Sequence, residues 1–362
     1  MAQKYLILVI NPGSTSTKIS LFSDEECIAS ENLSHSVEEI KEFSTIYDQK
    51  DMRTEVIMNW LEGLNYKVSD LSAVVGRGGL LRPMPGGTYK VTDMMLEDLK
   101  IGYQGEHASN LGGIIANNIA KQANIPACIV DPVSVDEFED VARISGLPDL
   151  PRISLLHALN IKAVSRKVCK EMNLKFKESS FIVAHIGGGI TVAPVKNGKL
   201  IDSVSANDEA SFSPERTGGL PVGDLIKMAY SGKFTYSELK KKTIGGQGGL
   251  TAYLGTNDGR EVNKRIDAGD KKAEFILEAM AYQLSKDIVS MSTVLKGKVD
   301  AIVLTGGMAY NKKLTDWITS RVGFVAPVKL SPGEEEMKAL MQGALRVLRG
   351  EEKPKIYENE VL

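Results

Sequence analysis

Asn11, Ser14, Thr15, Ser16, Thr17 and Lys18 fall within one short segment, Asn11-Pro12-Gly13-Ser14-Thr15-Ser16-Thr17-Lys18. They bring together an amide, hydroxyls and a cation, a set that can hydrogen-bond the oxygens of a phosphate at a tight turn. The spacing is not the Gly-x4-Gly-Lys-Ser/Thr of a P-loop, and Gly, Ser and Asn are also ordinary turn formers. A second segment strengthens the chemical reading: His185-Ile186-Gly187-Gly188-Gly189-Ile190-Thr191. Its consecutive glycines let a ligand approach the backbone closely. His185, where strand meets turn, can donate to a phosphoryl oxygen, although a satisfied core histidine is the competing reading. A third glycine element, Thr305-Gly306-Gly307-Met308, ends an apolar run. In open α/β sheets ligands gather at the carboxyl ends of strands, so this is a candidate nucleotide wall.

Charged residues supply the rest. Arg77 ends an apolar run among glycines, and Arg216 lies in Ser213-Pro214-Glu215-Arg216-Thr217-Gly218-Gly219. Arginines on such loops suit bidentate recognition of phosphate or carboxylate; a surface arginine is the plain alternative for each. Asp131 directly follows the apolar run Ala127 to Val130. There a carboxylate can hold Mg2+ or its waters, or simply open an Asp-Pro turn.

The elements that would carry these groups repeat. Tyr5 to Ile10 and Phe181 to Ala184 are apolar runs, each leading into a small-residue turn and a second apolar run (Ile19 to Phe22; Val192 to Val195). In both copies a polar turn and a third short strand follow, which indicates a duplicated domain. Further strands are expected at Ala73 to Val75 and Ala301 to Leu304. Helical patterns cover Glu38 to Leu61, Leu111 to Ala123, Ser154 to Glu171, Lys272 to Leu295 and Glu334 to Leu348. Short β-rich runs alternating with helices predict α/β layers. The proline pair in Leu147-Pro148-Asp149-Leu150-Pro151 is the expected crossover between halves. The expected domains are 1–152 with a returning helix in 338–362, and 153–337.

At 362 residues and 39.3 kDa the chain is long for one core, so two domains are expected. A net charge of −2 and pI near 6.2 leave no electrostatic footprint for nucleic acid. Lys240-Lys241-Lys242 reads as a solvated helix face. The cysteines, Cys27, Cys128 and Cys169, are odd in number and widely spaced. That argues against a disulfide framework or a zinc site and fits a reducing cytoplasm. No signal peptide is legible at the start, and no apolar run reaches the ~20 residues of a membrane span.

Taken in order, these motifs resemble the acetate and butyrate kinase family of the sugar kinase, heat-shock chaperone and actin superfamily, nearly end to end. Asn11 to Lys18 is similar to that family's first phosphate motif, and His185-x-Gly-x-Gly to its second. Val75-Gly76-Arg77 resembles the substrate-arginine strand, Glu106 to Asn110 the His-Asn loop, and Val130-Asp131 the segment with the catalytic aspartate. Leu156-His157 resembles a Phe-His pair, Glu215 to Gly218 the loop of the second arginine, and Asn257-Asp258-Gly259-Arg260 a nucleotide-contacting turn. Thr305-Gly306-Gly307 is similar to the adenosine motif.

The resemblance implies two actin-like, ribonuclease H-like α/β domains with a nucleotide cleft between them. It implies reversible phosphoryl transfer from ATP to a short-chain carboxylate, with ATP/ADP and Mg2+ bound. Arg77, Asp131, His157, His185 and Arg216 are the implied catalytic residues. Asn11, Ser14, Ser16, Lys18, Gly187, Gly188, Gly189, Asp258, Arg260, Gly306, Gly307 and Met308 are implied nucleotide contacts. Asn11, Asp131, Glu334 and Glu335 are implied at the metal, with the register within Glu334-Glu335-Glu336 open. Relative to acetate kinase, Gly78 and Gly79 after Arg77 and Leu156 in place of Phe remove bulk, which points to an acceptor longer than acetate. Butyrate is expected, with isobutyrate, propionate or acetate as alternatives and a sugar kinase or an actin-like switch more distant. A cytoplasmic homo-oligomer is expected.

Overall fold

The computed structural model describes residues 4–205 and 207–361; the ends of the expected domain spans and position 206 lie outside the described residues. In chain order the strands are β1 (Leu6–Pro12), β2 (Ser16–Ser23), β3 (Glu26–Ser34), β4 (Ala73–Arg77), β5 (Thr88–Lys90), β6 (Ala127–Val130), β7 (Ser180–Ile186), β8 (Ile190–Lys196), β9 (Lys199–Leu200), β10 (Val204–Ser205), β11 (Ala301–Gly306), β12 (Val328–Pro332) and β13 (Lys355–Ile356). The α-helices are α1 (Val37–Lys41), α2 (Lys50–Gly63), α3 (Asp93–Ile101), α4 (Asn110–Lys121), α5 (Ala158–Met172), α6 (Val222–Ala229), α7 (Tyr236–Thr243), α8 (Gly249–Leu254), α9 (Gly259–Asp267), α10 (Lys271–Val294), α11 (Lys312–Val322) and α12 (Glu336–Leu348).

These elements form two compact units. The first comprises Met1–Glu137, Ile153–Leu159 and Glu335–Leu362; the second comprises Phe138–Arg152 and Asn160–Glu334. In the first unit the sheet order is β13-β5-β6-β4-β1-β2-β3, with β1, β4 and β6 parallel and β1-β2-β3 an antiparallel meander. Alternation along the strands separates its faces. Leu8, Ile10, Val74 and Ile129 pack in one core with Ile57 and Leu61 of α2 and Ile115 of α4. In α12, Gly343 lies directly against Val130. Helix α4 approaches β4 so closely that a Cβ on Gly76 would collide with the Gly112 carbonyl, and one on Gly112 with the Arg77 carbonyl. Glycine at both places therefore sets where Arg77 leaves the sheet.

The second unit repeats the plan. Its sheet runs β10-β8-β7-β11-β12, with β9 also on β8; β7, β11 and β12 are parallel and β7-β8 is a hairpin. Ile182, Ala184, Ile302 and Leu304 are packed under Leu277, Met280, Leu284 and Ile288 of α10 and Leu314 and Ile318 of α11. Strand pairing ends at Pro12↔Thr17 in the first copy and Ile186↔Ile190 in the second. The two small-residue turns thus fall at equivalent ends of equivalent hairpins.

Three helices differ from their sequence patterns. Glu38 to Leu61 is broken, because Asp48 accepts from the Thr45 amide (3.0 Å) and hydroxyl and so starts a new turn ahead of α2. The segment Ser154 to Leu156 stays non-helical, with the Ser154 hydroxyl donating to the Val135 carbonyl at 2.7 Å, and α5 begins only at Ala158. Helix α12 starts at Glu336, two residues after the expected Glu334.

Candidate active site

In the first unit, Asn11 at the end of β1 donates from Nδ2 to Glu336 Oε2 at 2.8 Å, and Arg77 at the end of β4 donates to the other oxygen of the same carboxylate. Parallel pairing of β1 with β4 puts both groups at the carboxyl ends of adjacent strands. The start of α12 supplies the acid. Of the three consecutive glutamates, Glu336 is the one that meets Asn11 and Arg77. Glu334 and Glu335 are exposed, and Glu334 belongs to the second unit, 3.2 Å from His185 Nε2. Around Arg77 lies His107, whose Nδ1 accepts from the Ser109 amide at 3.2 Å. Burial, and then the Arg77 charge, hold this imidazole below its ordinary pKa. A neutral ring with its proton on Nε2 is the consequence.

Asp131 is buried and sits in the left-handed region at φ 38°, a strained conformation for a residue other than glycine. Its Oδ1 accepts from the Gly87 amide at 2.7 Å and its own amide donates back to the Gly87 carbonyl at 3.0 Å. The aspartate therefore anchors the far end of the 78–87 loop that leaves Arg77. The near end is anchored by Asn110, which accepts from the Leu80 amide at 2.8 Å. The middle is held by buried Asp98, which pairs with Arg82 at 2.8 Å and accepts from Tyr357 Oη at 2.8 Å.

The glycines after Arg77 do not open space. A Cβ at Gly78 would meet Pro132, and one at Gly79 would meet Asn110. They allow close loop packing, so the expectation that their missing bulk becomes room for an acyl chain is not met. Leu156 is buried, and His157 stands half-buried just ahead of α5. Ser14 and Lys18 are exposed and Ser16 is half-buried.

In the second unit, Gly187, Gly188, Asp258, Arg260, Gly307 and Met308 line one cavity of about 580 Å³, with Glu215, Asn257 and Tyr310 also on its wall. Such a volume suits a small organic ligand. Gly189 and Gly306 stand outside that lining. Gly306 has φ 87°, and a Cβ there would collide with the Ile186 carbonyl, so only glycine lets β11 end beside β7. Asp258 caps α9 by accepting from the Arg260 amide at 2.8 Å and binds the Arg260 guanidinium at 2.7 Å. That guanidinium, followed by the amide bond, brings the Asp258 carboxyl down to about 2. His185 is buried; Asn160 donates to its Nδ1 at 2.9 Å and also reaches Thr305 Oγ1 at 3.2 Å. With Nδ1 accepting, Nε2 is the ring nitrogen that faces Glu334.

Arg216 is positioned by a residue that sequence reading passed over. Buried Ser213 donates from Oγ to the Gly188 carbonyl at 2.5 Å and accepts from the amides of Glu215 at 3.2 Å and Arg216 at 3.0 Å. One hydroxyl thereby ties the arginine loop to the glycine turn. Nothing in the Ser213-Pro214 wording marks it in advance. Asn160 was equally hidden inside a helical pattern.

Mg2+ keeps several waters and is usually held by one or two carboxylates together with substrate phosphates. Among the described residues no group of three or more His, Cys, Asp or Glu side chains is arranged for a metal. The Asn11–Glu336 pair offers one carboxylate and one amide oxygen beside the first turn, the kind of donors Mg2+ takes, with Asn11 Nδ2 and Arg77 both donating to that carboxylate in this structure.

Residues 155–321 match the acetokinase family. The chain is 56% identical over 353 residues to a protein named probable butyrate kinase 2 of Caldanaerobacter subterraneus subsp. tengcongensis, covering 98% of this chain and 99% of that one. It is 53% identical over 356 residues to butyrate kinase 2 of Clostridium acetobutylicum, covering 98% and 100%. Among solved structures it resembles Porphyromonas gingivalis acetate kinase with a TM-score of 0.79 at 18% identity, over 95% of this chain and 100% of that one. The repeated sheet plan described above is the one that likeness carries. The chain is a member of the acetokinase family, built from two actin-like α/β units.

Proposed function

We propose that this kinase of short-chain carboxylates transfers the terminal phosphoryl group of ATP reversibly to butyrate or an acid of similar size, giving the acyl phosphate and ADP. The observation that carries the reading is the convergence of Gly187, Gly188, Asp258, Arg260, Gly307 and Met308 on one cavity in the second unit. The butyrate kinase names of relatives more than half identical support the acceptor.

A carboxylate is already ionised at neutral pH, so attack needs no general base. The difficulty is electrostatic: one anion must approach another, and charge then spreads over the transferring group. Catalysis therefore rests on positioning and fixed positive charge. Arg77, whose guanidinium already holds a carboxylate in this structure, orients the acceptor. His107 keeps a neutral ring beside Arg77 and so adds no competing charge. Arg216 and His185 bind equatorial oxygens of the transferring group, and His157 contacts the same group. Asp131 holds the loop behind Arg77. Asn11 and Glu336 would hold Mg2+, which when bound would neutralise phosphate charge; Glu336 would take the role expected of Glu334 or Glu335.

We also infer a homo-oligomer in a reducing, cytoplasmic setting. The unpaired Cys27, Cys128 and Cys169 support the setting, and the exposed Val222, Ile226 and Met228 of α6 support self-association. Among the described residues no helix is long and apolar enough to cross a membrane.

The test is a hydroxamate trap for acyl phosphate, with kcat/KM measured for straight and branched acids from acetate to hexanoate. The expected maximum is at butyrate or isobutyrate. Absence of trapped product with every acid, alongside phosphorylation of sugars, overturns the reading.

A further inference from the structure

Arg53, in the first turn of α2, is completely buried, and among the described residues no carboxylate is its partner. Its fork is spent on backbone oxygens of the first turn. Nη1 donates to the Gly13 carbonyl at 2.9 Å, the Ser16 carbonyl at 3.0 Å and Thr17 Oγ1 at 2.9 Å; Nη2 donates to the Ser14 carbonyl at 3.1 Å. Gln49, itself buried, accepts from Nε and Nη2 at 3.2 and 2.9 Å and sets the plane of the guanidinium. The Thr15 carbonyl accepts from the His35 amide at 2.9 Å. Every carbonyl from Gly13 to Ser16 is thus drawn toward the protein. Among the described residues the amides of Ser14 and Thr15 have no protein acceptor, and both residues are exposed.

Burying a cation without a counter-ion is costly, and satisfying carbonyls needs only neutral donors. A permanent charge in that place is explained if an anion arrives on the other side of the turn. Burial brings the guanidinium down to about 10, so it stays charged at neutral pH. His35, 2.9 Å from Thr17 Oγ1, is held below its ordinary pKa by burial and by Arg53, so the layer carries one positive charge.

We propose that Arg53 is a positioning residue of the first turn: it pulls the turn's carbonyls inward, so that amides and hydroxyls face outward, and supplies buried positive charge for a phosphate bound there. The inference rests on the reading of this turn as a phosphate grip.

The test is ATP affinity per folded molecule, by calorimetry on the full chain, alongside the KM for butyrate. Arg53→Met should weaken ATP binding by at least about tenfold, as loss of charge-assisted bonds implies, while the butyrate KM changes by less than about twofold. Arg53→Lys, which keeps charge but loses the fork, should fall between. Guanidinium ion added to Arg53→Ala should restore part of the affinity, which a merely structural defect would not allow. If Arg53→Met does not fold, Gln49→Met tests the same geometry and should weaken ATP in the same direction. Folded Arg53→Met or Gln49→Met with wild-type ATP affinity overturns the proposal. Ser14→Ala and Asn11→Ala separate the two claims. If they weaken ATP and the Arg53 variants do not, only the role of Arg53 fails. If none of these changes moves ATP affinity, the phosphate reading of the turn fails with it.

Discussion

The turn between β1 and β2 and the turn between β7 and β8 hold equivalent places in a duplicated design, yet they are built by opposite means. The first is anchored by charge: a buried guanidinium gathers its carbonyls, and its outer surface is made of hydroxyl residues. The second is anchored by space. A Cβ at Gly187 would lie 3.2 Å from His185 Nε2, and one at Gly188 would lie 3.1 Å from the Glu215 carboxylate. There the missing side chains leave room for the ends of His185 and Glu215, and one hydroxyl, Ser213, does the holding. Duplication conserves where a turn falls; it does not conserve what stiffens it. In the first copy positive charge lies beneath the turn, whereas in the second it stands on a neighbouring loop at Arg216.

That contrast can be broken most directly at Arg216. Replacing it with Ala should lower kcat by about 10²–10³, the usual cost of losing a preorganised charge at a transition state, with ATP binding changed only a few-fold. An unchanged turnover number would remove Arg216 from the transition state and leave the second turn with no cation of its own. Next comes Ser213→Ala. It removes the partner of the Gly188 carbonyl and of two amides; these groups are part-exposed, so the loss is about 0.5–1.5 kcal/mol, the net worth of an ordinary hydrogen bond. Thermal unfolding should shift down, and kcat should fall in the same direction as for Arg216→Ala but less. A variant with wild-type kcat would mean that the arginine loop holds itself. Smaller still is Gly188→Ala. Its new methyl meets the movable end of Glu215, so ATP affinity should drop a few-fold without loss of fold, as titration calorimetry would show.

How much of this could be read in the sequence differs between the same two regions. Both turns were legible because their strands are continuous apolar runs and their small residues break those runs sharply. The lining of the cavity in the second unit was legible because Asp258, Gly307 and Met308 follow visible strand or turn signals. What holds the turns was not. Arg53 lies in Lys50-Asp51-Met52-Arg53-Thr54, which reads as a solvated helix start. Its one signal is spacing: Arg53, Ile57 and Leu61 recur every four residues, and all three are buried on one helix stripe. A lone arginine within an apolar stripe is a cation the fold has chosen to bury. The register of the glutamates was illegible for a different reason. Three adjacent acids have the same chemistry, and only the start of α12 at Glu336 decides which one meets Asn11 and Arg77. The glycines after Arg77 were misread because an absent side chain says nothing about which neighbour moves in.

The mildest test of the contrast is acid. His35 lies under the first turn with Nε2 2.9 Å from Thr17 Oγ1. Burial, with Arg53 adding to it, holds its pKa below the ordinary histidine value. An unfolded chain takes up that proton near pH 6.5, while the folded chain resists it. Below pH 6.5 the unfolded state therefore binds more protons, and stability falls as pH drops toward the folded pKa. Above pH 6.5 the contribution is flat. The proton, once bound, also sits close to the Arg53 charge and competes for Thr17, so the first turn should loosen before the second does. Hydrogen exchange at Ser16 and Thr17, corrected for the intrinsic rate, should rise relative to Ile190 and Thr191 between pH 7.5 and 5.5. In His35→Gln, which keeps a polar partner for Thr17 without a titrating ring, the difference should vanish. Equal acid sensitivity of the two turns in the wild type would show that the charge beneath the first turn does not set how it opens.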